Sequence, residues 1–210
     1  MKQTISKPAR ERLIKLARLM ELLENESCFI ITSSEIQKKT GWTDATIRRD
    51  ISFLDADCAT PNGYDVSLLR SSICKELGLD ADEKRCCIVG LGKLGSALLE
   101  YSGFSGTLFK IVAGFDSSAN RCETLKADFP LYPTSRMSSV IKSEKIEYAI
   151  LTVPEKYAQE TAIRLVQMGI KGIVNYTSAV LTVPDDVCVE NISVLDALQK
   201  IAASQKSKII

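Results

Sequence analysis

Residues 86–95 read CCIVGLGKLG, an apolar run that passes directly into a glycine-rich turn. A short, unmixed apolar run is typical of a strand that is buried on both faces of a parallel sheet. In the segment that follows, from Lys93 onward, the apolar residues recur at helical spacing. Gly90, Gly92 and Gly95 thus form a G-x-G-x-x-G motif between a strand and a helix, and in this context the motif predicts a dinucleotide-binding site.

The residues of this motif have separate physical roles. The first glycine permits a tight turn, the second lets the backbone approach a pyrophosphate, and the third allows the helix to pack closely. The helix begins with Lys93 and Leu94, and its N-terminus offers free N–H groups and a positive dipole end to phosphates. A purely structural turn, or a ligand of the coenzyme A type on a related fold, is the alternative.

Asp116 is the predicted ribose ligand. It lies about 20 residues beyond the third glycine, at the end of the next predicted strand, where a carboxylate accepts from both ribose hydroxyls. Because a carboxylate also disfavours a 2′-phosphate, the cofactor is expected to be NAD(H) in preference to NADP(H).

Strands and helices alternate after residue 84, which predicts a doubly wound parallel α/β sheet, a Rossmann-like domain, over residues 84–192. The predicted strands span residues 85–89, 109–115, 148–152, 172–175 and 187–190, and the predicted helices span residues 93–101, 155–168 and 194–204.

Two loops at the carboxyl ends of predicted strands are candidates for the nicotinamide half of the site, because ligands of open α/β sheets bind at that edge. Ordinary strand-to-helix turns are the alternative reading of both loops. The candidate cofactor residues in these loops are Thr152, Val153, Pro154, Asn175, Tyr176 and Thr177.

The first 80 residues are predicted to form a winged helix-turn-helix domain. Residues 9–24 carry apolar side chains at helical spacing, which indicates an amphipathic helix. A second, short helix is predicted to be capped by Ser33 or Ser34 and to stop at the next glycine, and a third is predicted to be capped by Thr43.

The third helix, predicted over residues 45–54, is the candidate recognition helix because it carries Arg48 and Arg49. Arginine binds guanine edges or phosphate, and residues near the start of a recognition helix point into the major groove of double-stranded DNA. A solvated charged face is the alternative. The predicted DNA-contacting residues are Ser33, Lys39, Ala45, Thr46, Arg48, Arg49 and Tyr64.

Residues 55–66 contain the turn signal Pro-Asn-Gly at 61–63, which predicts a β-hairpin wing. A further helix is predicted over residues 67–77, and the domain boundary is placed in the charged linker at residues 80–84. The wing has aspartates and no basic residue before its turn. An NAD(H) sensor that binds a protein partner instead of DNA is therefore an alternative function.

The composition limits the possible functions further. The 27 lysines and arginines nearly balance the 26 acidic residues, so the net charge of +1 offers no bulk attraction to nucleic acid, and any DNA contact requires a local patch. Histidine, the commonest general acid or base, is absent, which weighs against many dehydrogenases. No Tyr-x-x-x-Lys pair occurs either. We therefore predict no catalytic residue, no metal site and no enzyme, with a small NAD-dependent oxidoreductase as the alternative.

The cysteines and the hydropathy suggest a cytoplasmic protein. The seven cysteines form no C-x-x-C pair, and an odd number cannot all be joined in disulfides, which fits a reducing compartment. No apolar run is long enough for a membrane span, and the N-terminus lacks the pattern of a secretory signal.

The last predicted helix carries an apolar stripe that needs a partner surface. A dimer interface would supply one, and packing onto the sheet of the same subunit is the alternative. The stripe consists of Val194, Leu195, Leu198, Ile201 and Ala202.

Taken together, these segments resemble the Rex family of redox-sensing transcriptional repressors over nearly the whole chain. The similar segments are residues 45–52, 63–66, 90–95, 150–154, 169–175 and 181–184. The resemblance implies a homodimer in which the C-terminal helix, within residues 193–210, is exchanged and inserts near the partner's DNA-binding domain. It also implies that NAD⁺ permits operator binding and NADH releases the DNA, so that genes for NADH reoxidation are repressed when the NADH/NAD⁺ ratio is low.

Overall fold

The computed structural model describes residues 5–55, 57–80, 82–104 and 107–206. The chain divides into two compact units, Met1–Asp82 and Glu83–Ile210. Within the described ranges, no helix combines the length and the apolar character that are needed to cross a membrane.

The described part of the N-terminal unit contains four α-helices and a small antiparallel sheet with the strand order β1-β3-β2. Its elements are α1 (Lys7–Asn25), β1 (Ile30–Ile31), α2 (Ser33–Thr40), α3 (Asp44–Ile51), β2 (Ala59–Thr60), β3 (Gly63–Asp65) and α4 (Val66–Leu77). The predicted hairpin wing is confirmed, because Thr60 pairs with Gly63 across a two-residue turn. The third helix is shorter than predicted and ends at Ile51.

Local capping fixes where α2 and α3 begin. The predicted cap at Ser33 or Ser34 is wrong: the Thr32 hydroxyl accepts from the backbone N–H of Glu35 at 3.2 Å, and the Glu35 carboxylate accepts from the N–H of Thr32 at 2.8 Å. This reciprocal capping box stabilises the helix start one residue earlier than expected. The predicted cap at Thr43 is confirmed, since its hydroxyl accepts from the N–H of Thr46 at 3.2 Å.

The core of the N-terminal unit holds α3 in place on one apolar face. Ile47 and Ile51 are buried among residues of the other helices, chiefly Leu13, Leu16, Met20, Ile36, Leu69 and Ile73. Arg12 of α1 donates from Nε to Asp50 at 2.5 Å and from Nη2 at 2.8 Å. Hydrogen bonding to this buried carboxylate raises the pKa of Arg12. A charge-assisted bidentate pair therefore joins α1 to α3.

The described part of the C-terminal unit is a six-stranded, entirely parallel sheet with helical connections. Its strands are β4 (Lys84–Val89), β5 (Phe109–Asp116), β6 (Leu131–Pro133), β7 (Tyr148–Leu151), β8 (Gly172–Asn175) and β9 (Cys188–Asn191). Its helices are α5 (Lys93–Leu99), the 3₁₀ turn Ser102–Phe104, α6 (Ala119–Thr124), the 3₁₀ turn Thr134–Arg136, α7 (Met137–Ser143), α8 (Glu155–Gln167) and α9 (Val194–Lys206).

The strand order β6-β5-β4-β7-β8-β9 places β4 near the centre, with later strands added first on one side and then on the other. This is the doubly wound order of dinucleotide-binding folds, and it confirms the predicted fold class. The sequence did not reveal α6, β6 and α7, because a three-residue strand ending in proline and helices of six and seven residues leave little periodicity to detect.

Candidate cofactor site and nucleic-acid interface

A cavity of 660 Å³ lies at the carboxyl ends of β4 and β7, where the order of the strands reverses. Ligands of open α/β sheets bind at this switch point. The volume is typical of sites for small molecules and cofactors. The predicted cofactor residues that line the cavity are Gly90, Gly92, Lys93, Asp116, Thr152, Val153 and Pro154.

The three glycines of the motif differ in the space that is available for a side chain. Gly90 has a φ of +98°, and a Cβ there would lie 2.8 Å from the backbone N of Val153. At Gly95 a Cβ would lie 1.8 Å from the carbonyl oxygen of Gly90. At Gly92, by contrast, no described atom would lie within 4 Å of a Cβ. The first and third glycines therefore serve the fold, whereas the second opens onto the cavity.

Asp116 joins the two loops that border the cavity. Its carboxylate accepts from the N–H of Leu91 at 2.7 Å and from the N–H of Ser118 at 2.7 Å. Arg121 approaches the same carboxylate, with Nη1 at 3.3 Å from Oδ2. Asp116 is 4% exposed, so these donors stabilise a charge that is largely removed from water. The carboxylate therefore holds the glycine loop in shape.

Thr152 ties the loop after β7 to the glycine loop. Its hydroxyl donates to the Gly90 carbonyl oxygen at 2.5 Å, and its N–H donates to the Val89 carbonyl oxygen at 2.9 Å. The hydroxyl is thus engaged within the protein. Val153 and Pro154 follow directly and give the cavity an apolar wall.

The remaining predicted cofactor residues do not line this cavity, and a cofactor role for them stays a prediction. Asn175 is fully buried; its amide nitrogen donates to Ala179 O at 2.9 Å and to Asn191 Oδ1 at 2.8 Å, and its oxygen accepts from the N–H and hydroxyl of Thr177. Its amide is therefore used to shape the loop and to join β8 to β9. The residues of this group are Leu94, Gly95, Asn175, Tyr176 and Thr177.

Several lining residues were not predicted. Arg121 comes from α6, which the sequence did not reveal. Tyr157, Glu160, Thr161 and Arg164 lie at i, i+3, i+4 and i+7 along α8, so that one face of this helix borders the cavity. That spacing is readable in the sequence once α8 is known to start beside the cavity. The further unpredicted residues are Val89, Ser117, Thr134 and Met137.

In the N-terminal unit, the structure brings together part of the predicted DNA-contacting set. Arg48 donates from Nε to Asp44 Oδ2 at 2.8 Å and from Nη2 to the Ser33 hydroxyl at 3.4 Å. Ser33 itself is only 7% exposed, so its hydroxyl contacts this arginine from a buried position. Tyr64 of β3 lies close enough for electrostatic interaction: burial raises its pKa and Arg48 opposes that change.

Two other predicted residues of α3 have different neighbours. Thr46 and Arg49 border a second cavity of 410 Å³, together with Arg12 and Asp50. Arg48 and Arg49 therefore occupy different surroundings although they are neighbours in sequence. Two more predicted residues, Lys39 and Ala45, are exposed.

Two findings concern metal and thiol chemistry. Over the described ranges, no cluster of three or more histidine, cysteine or acidic residues could hold a metal ion.

Burial in β4 raises the pKa of the Cys86 thiol to about 12, and it also raises that of Cys87. These two thiols are therefore protonated and unreactive at neutral pH.

Comparison with known proteins identifies the family. The model of the "CoA binding domain" family matches residues 81–179, and that of "Putative DNA-binding protein N-terminus" matches residues 4–52. A redox-sensing transcriptional repressor Rex of Exiguobacterium sp. is 36% identical over 94% of this chain and 90% of its own length. The Rex repressor of Caldicellulosiruptor saccharolyticus is 32% identical over 100% of this chain and 95% of its own length. The chain belongs to the Rex family.

Solved structures agree with this assignment. The Rex-family repressor RSP, in a crystal structure with β-NAD⁺ and operator DNA, matches with a TM-score of 0.87 and 33% identity over 99% of this chain and 95% of that chain. RSP with β-NADH matches with a TM-score of 0.85 and 31% identity over 99% and 97% of the two chains. The resemblance to Rex repressors and the predicted order of winged helix and Rossmann-like domain are confirmed.

The different surroundings of Gly92 and Gly95 lead to a stability test. Gly95→Ala should lower the free energy of unfolding by about 3 kcal/mol or more, because overpacking against a rigid backbone oxygen cannot relax as a side chain can. Gly92→Ala, at the N-cap of α5, should change it by less than about 1 kcal/mol. Chemical denaturation of both variants beside the wild type measures the difference; equal losses would contradict the assignment of Gly92 to open space.

Proposed function

We propose that this Rex-family chain binds operator DNA through its first 80 residues and NAD(H) through residues 84–192, and that NADH weakens the binding of DNA. The observation that carries the proposal is the cavity at the strand switch point, with Gly92 open to it and Asp116 at its border. RSP, of the same family and the same fold, is solved with both cofactor forms and with operator DNA, which supports the proposal.

Each half of a dinucleotide has a matching part of the cavity. The glycine loop and the start of α5 suit a pyrophosphate, because helix N-terminal N–H groups and Lys93 attract negative charge. Asp116 suits the adenosine ribose. The ribose hydroxyls would donate to this carboxylate in competition with the backbone N–H groups that now donate to it. The wall formed by Val153 and Pro154 is left for the nicotinamide ring.

Redox discrimination must arise at the nicotinamide, because the oxidised and reduced forms share the adenosine and the pyrophosphate. The oxidised ring carries a positive charge and the reduced ring is neutral. An apolar wall at Val153 and Pro154 stabilises the neutral ring relative to the charged one. A difference in affinity regulates DNA binding only if the two forms favour different conformations of the protein.

We also propose that the chain regulates transcription and does not catalyse a reaction. Its curated relatives are named as repressors, and its sequence contains no histidine for proton transfer. A repressor acts where the chromosome lies, so we place the protein in the cytoplasm. A turnover assay with 2-hydroxy acids and aldehydes tests the oxidoreductase alternative: sustained oxidation or reduction of the nicotinamide would support it.

The C-terminal helix α9 is proposed to form a dimer interface with a second copy of the chain. Its apolar stripe faces solvent in the single chain: Val194 is 76%, Leu195 63%, Leu198 58% and Ile201 56% exposed. A contiguous apolar face of this kind is stable in water only when another surface covers it. Pairing of two chains also suits DNA, since dimeric helix-turn-helix proteins read paired half-sites.

The switch is tested by operator affinity at saturating NAD⁺ and at saturating NADH. The probe is a duplex enriched from a random pool by the wild-type protein in the presence of NAD⁺. We expect NADH to lower the affinity about 5- to 150-fold, the usual range of allosteric coupling. Equal affinity in fluorescence anisotropy with the two cofactors would leave a DNA-binding protein that does not sense redox state.

The cofactor assignment is tested by calorimetry with NADH and NADPH. Gly92→Val should abolish binding of both, because its side chain would occupy the cavity; a Cβ at this position meets no described atom within 4 Å. Asp116→Asn keeps one acceptor oxygen for the two N–H donors of Leu91 and Ser118 and loses the charge, so it should narrow the preference for NADH over NADPH. A wild-type protein that prefers NADPH would contradict the role of Asp116.

The interface assignment is tested by Leu198→Glu, which places a charge in the α9 stripe. Sedimentation should show a dimer for the wild type and a shift toward monomer for the variant, since a buried unpaired charge is costly. Lys200→Glu, on the same helix but outside the stripe, is the matched control and should remain dimeric. A Leu198→Glu protein that sediments as the wild type does would contradict the assignment.

A further inference from the structure

Arg48, one of the two exposed arginines of α3, already contacts residues of its own unit. Asp44, one turn earlier in α3, accepts from Nε at 2.8 Å, and the hydroxyl of Ser33 in α2 accepts from Nη2 at 3.4 Å. The side chain remains 66% exposed. The guanidinium is thus fixed at two of its nitrogens while its outer edge faces solvent.

The partner carboxylate is held through one of its oxygens: Oδ2 accepts from Arg48, whereas Oδ1 is buried and has no hydrogen-bond partner among the described residues. The side chain of Asp44 is 39% exposed, and its neighbours Ser33 and Arg48 lower its pKa. It is therefore charged at neutral pH. Exposed ion pairs four residues apart on a helix contribute little to stability. The importance of this pair therefore lies in the orientation of the guanidinium and in the net charge of the arginine together with its partner.

Pairing changes what the arginine can bind. The guanidinium has five N–H donors in a planar fork, and among the described residues no acceptor contacts Nη1. The outer N–H groups therefore remain available for the two acceptors of a guanine edge. Attraction to phosphate, which depends on net charge, is weakened because the pair of Arg48 and Asp44 has a net charge of zero.

We propose that Asp44 is a positioning residue that directs Arg48 toward base edges and away from phosphates, and so raises the ratio of specific to non-specific DNA binding. This inference rests on the proposed function, because it requires α3 to be the recognition helix. The described residues of the wing include Asp57 and no lysine or arginine, so the wing adds no positive charge that would attract phosphates. The pairing of Arg48 with Asp44 lowers the non-specific attraction to DNA phosphates further.

The test compares wild-type protein with Asp44→Asn, Arg48→Ala and the double variant. Two duplexes are used: the one enriched by the wild type from a random pool, and a mixed-sequence duplex of equal length. Dissociation constants are measured by fluorescence anisotropy across a potassium chloride series. The slope of affinity against salt reports the number of phosphates neutralised, whereas the ratio of the two constants reports base readout.

Release of Arg48 should give one added phosphate contact. We expect Asp44→Asn to bind the mixed-sequence duplex about three- to eightfold more tightly at 0.1 M salt, with a slope steeper by about 0.9. The ratio of specific to non-specific affinity should fall by a similar factor. Asp44→Glu, which can still pair with Arg48, should restore both the slope and the ratio.

The double-mutant cycle separates positioning from bulk charge. If Asp44 acts through Arg48, its replacement should change neither slope nor ratio in the Arg48→Ala background. Glu26→Gln, which removes one negative charge at the end of α1, is the matched control and should leave the ratio unchanged. Wild-type values of slope and ratio in Asp44→Asn, confirmed as folded by thermal unfolding, would overturn the inference.

Failure of the proposed function would look different. A wild-type chain that enriched no sequence from the random pool would remove both the recognition-helix assignment and this inference. A chain that enriched a sequence, but whose Asp44→Asn variant matched the wild type, would remove only the role of Asp44.

Discussion

The approach of α5 to the end of β4 is the constraint on which the C-terminal unit depends. A helix can start this close to its preceding strand only if the backbone oxygen of Gly90 meets no side chain at Gly95. The same oxygen accepts from the hydroxyl of Thr152, so the loop after β7 is joined to the turn. Asp116 joins the loop after β5 through the N–H of Leu91. Three strand ends thus converge on one turn, and the cavity is the space that they leave open.

Much of this arrangement was predictable because the signals were local. A glycine motif after an apolar run, with an acidic residue one strand later, predicted the fold class and the residues of the turn. The segment between β5 and β7 was not predictable, since its short elements are stabilised by packing on the sheet and not by their own periodicity. Arg121 was missed for that reason, although it contacts Asp116.

Similar limits applied to polar residues. Asn175 follows a strand at the ligand-binding edge, and sequence position alone made it a candidate ligand. Its bonds to Thr177 and Ala179 depend on the local conformation of the loop, and its burial and its bond to Asn191 depend on residues that only the folded chain brings near. In the N-terminal unit, the capping box of Thr32 and Glu35 was present in the sequence, but adjacent serines offered equally good caps. The sequence indicated which residue types could serve as a cap or as a ligand, but it did not indicate which of these residues would have the required geometry.

The bond between Asn175 and Asn191 has a mechanical consequence. Asn191 ends β9, and α9 starts only three positions later, so the root of that helix is attached to the loop after β8. Thirteen residues of α-helix extend about 20 Å. A lever of this length magnifies motion: a rotation of about 10° at the root displaces the far end by about 3 Å, comparable to the width of a side-chain contact. A rotation of that size at the root would therefore be large enough to change how surfaces fit at the far end of the helix.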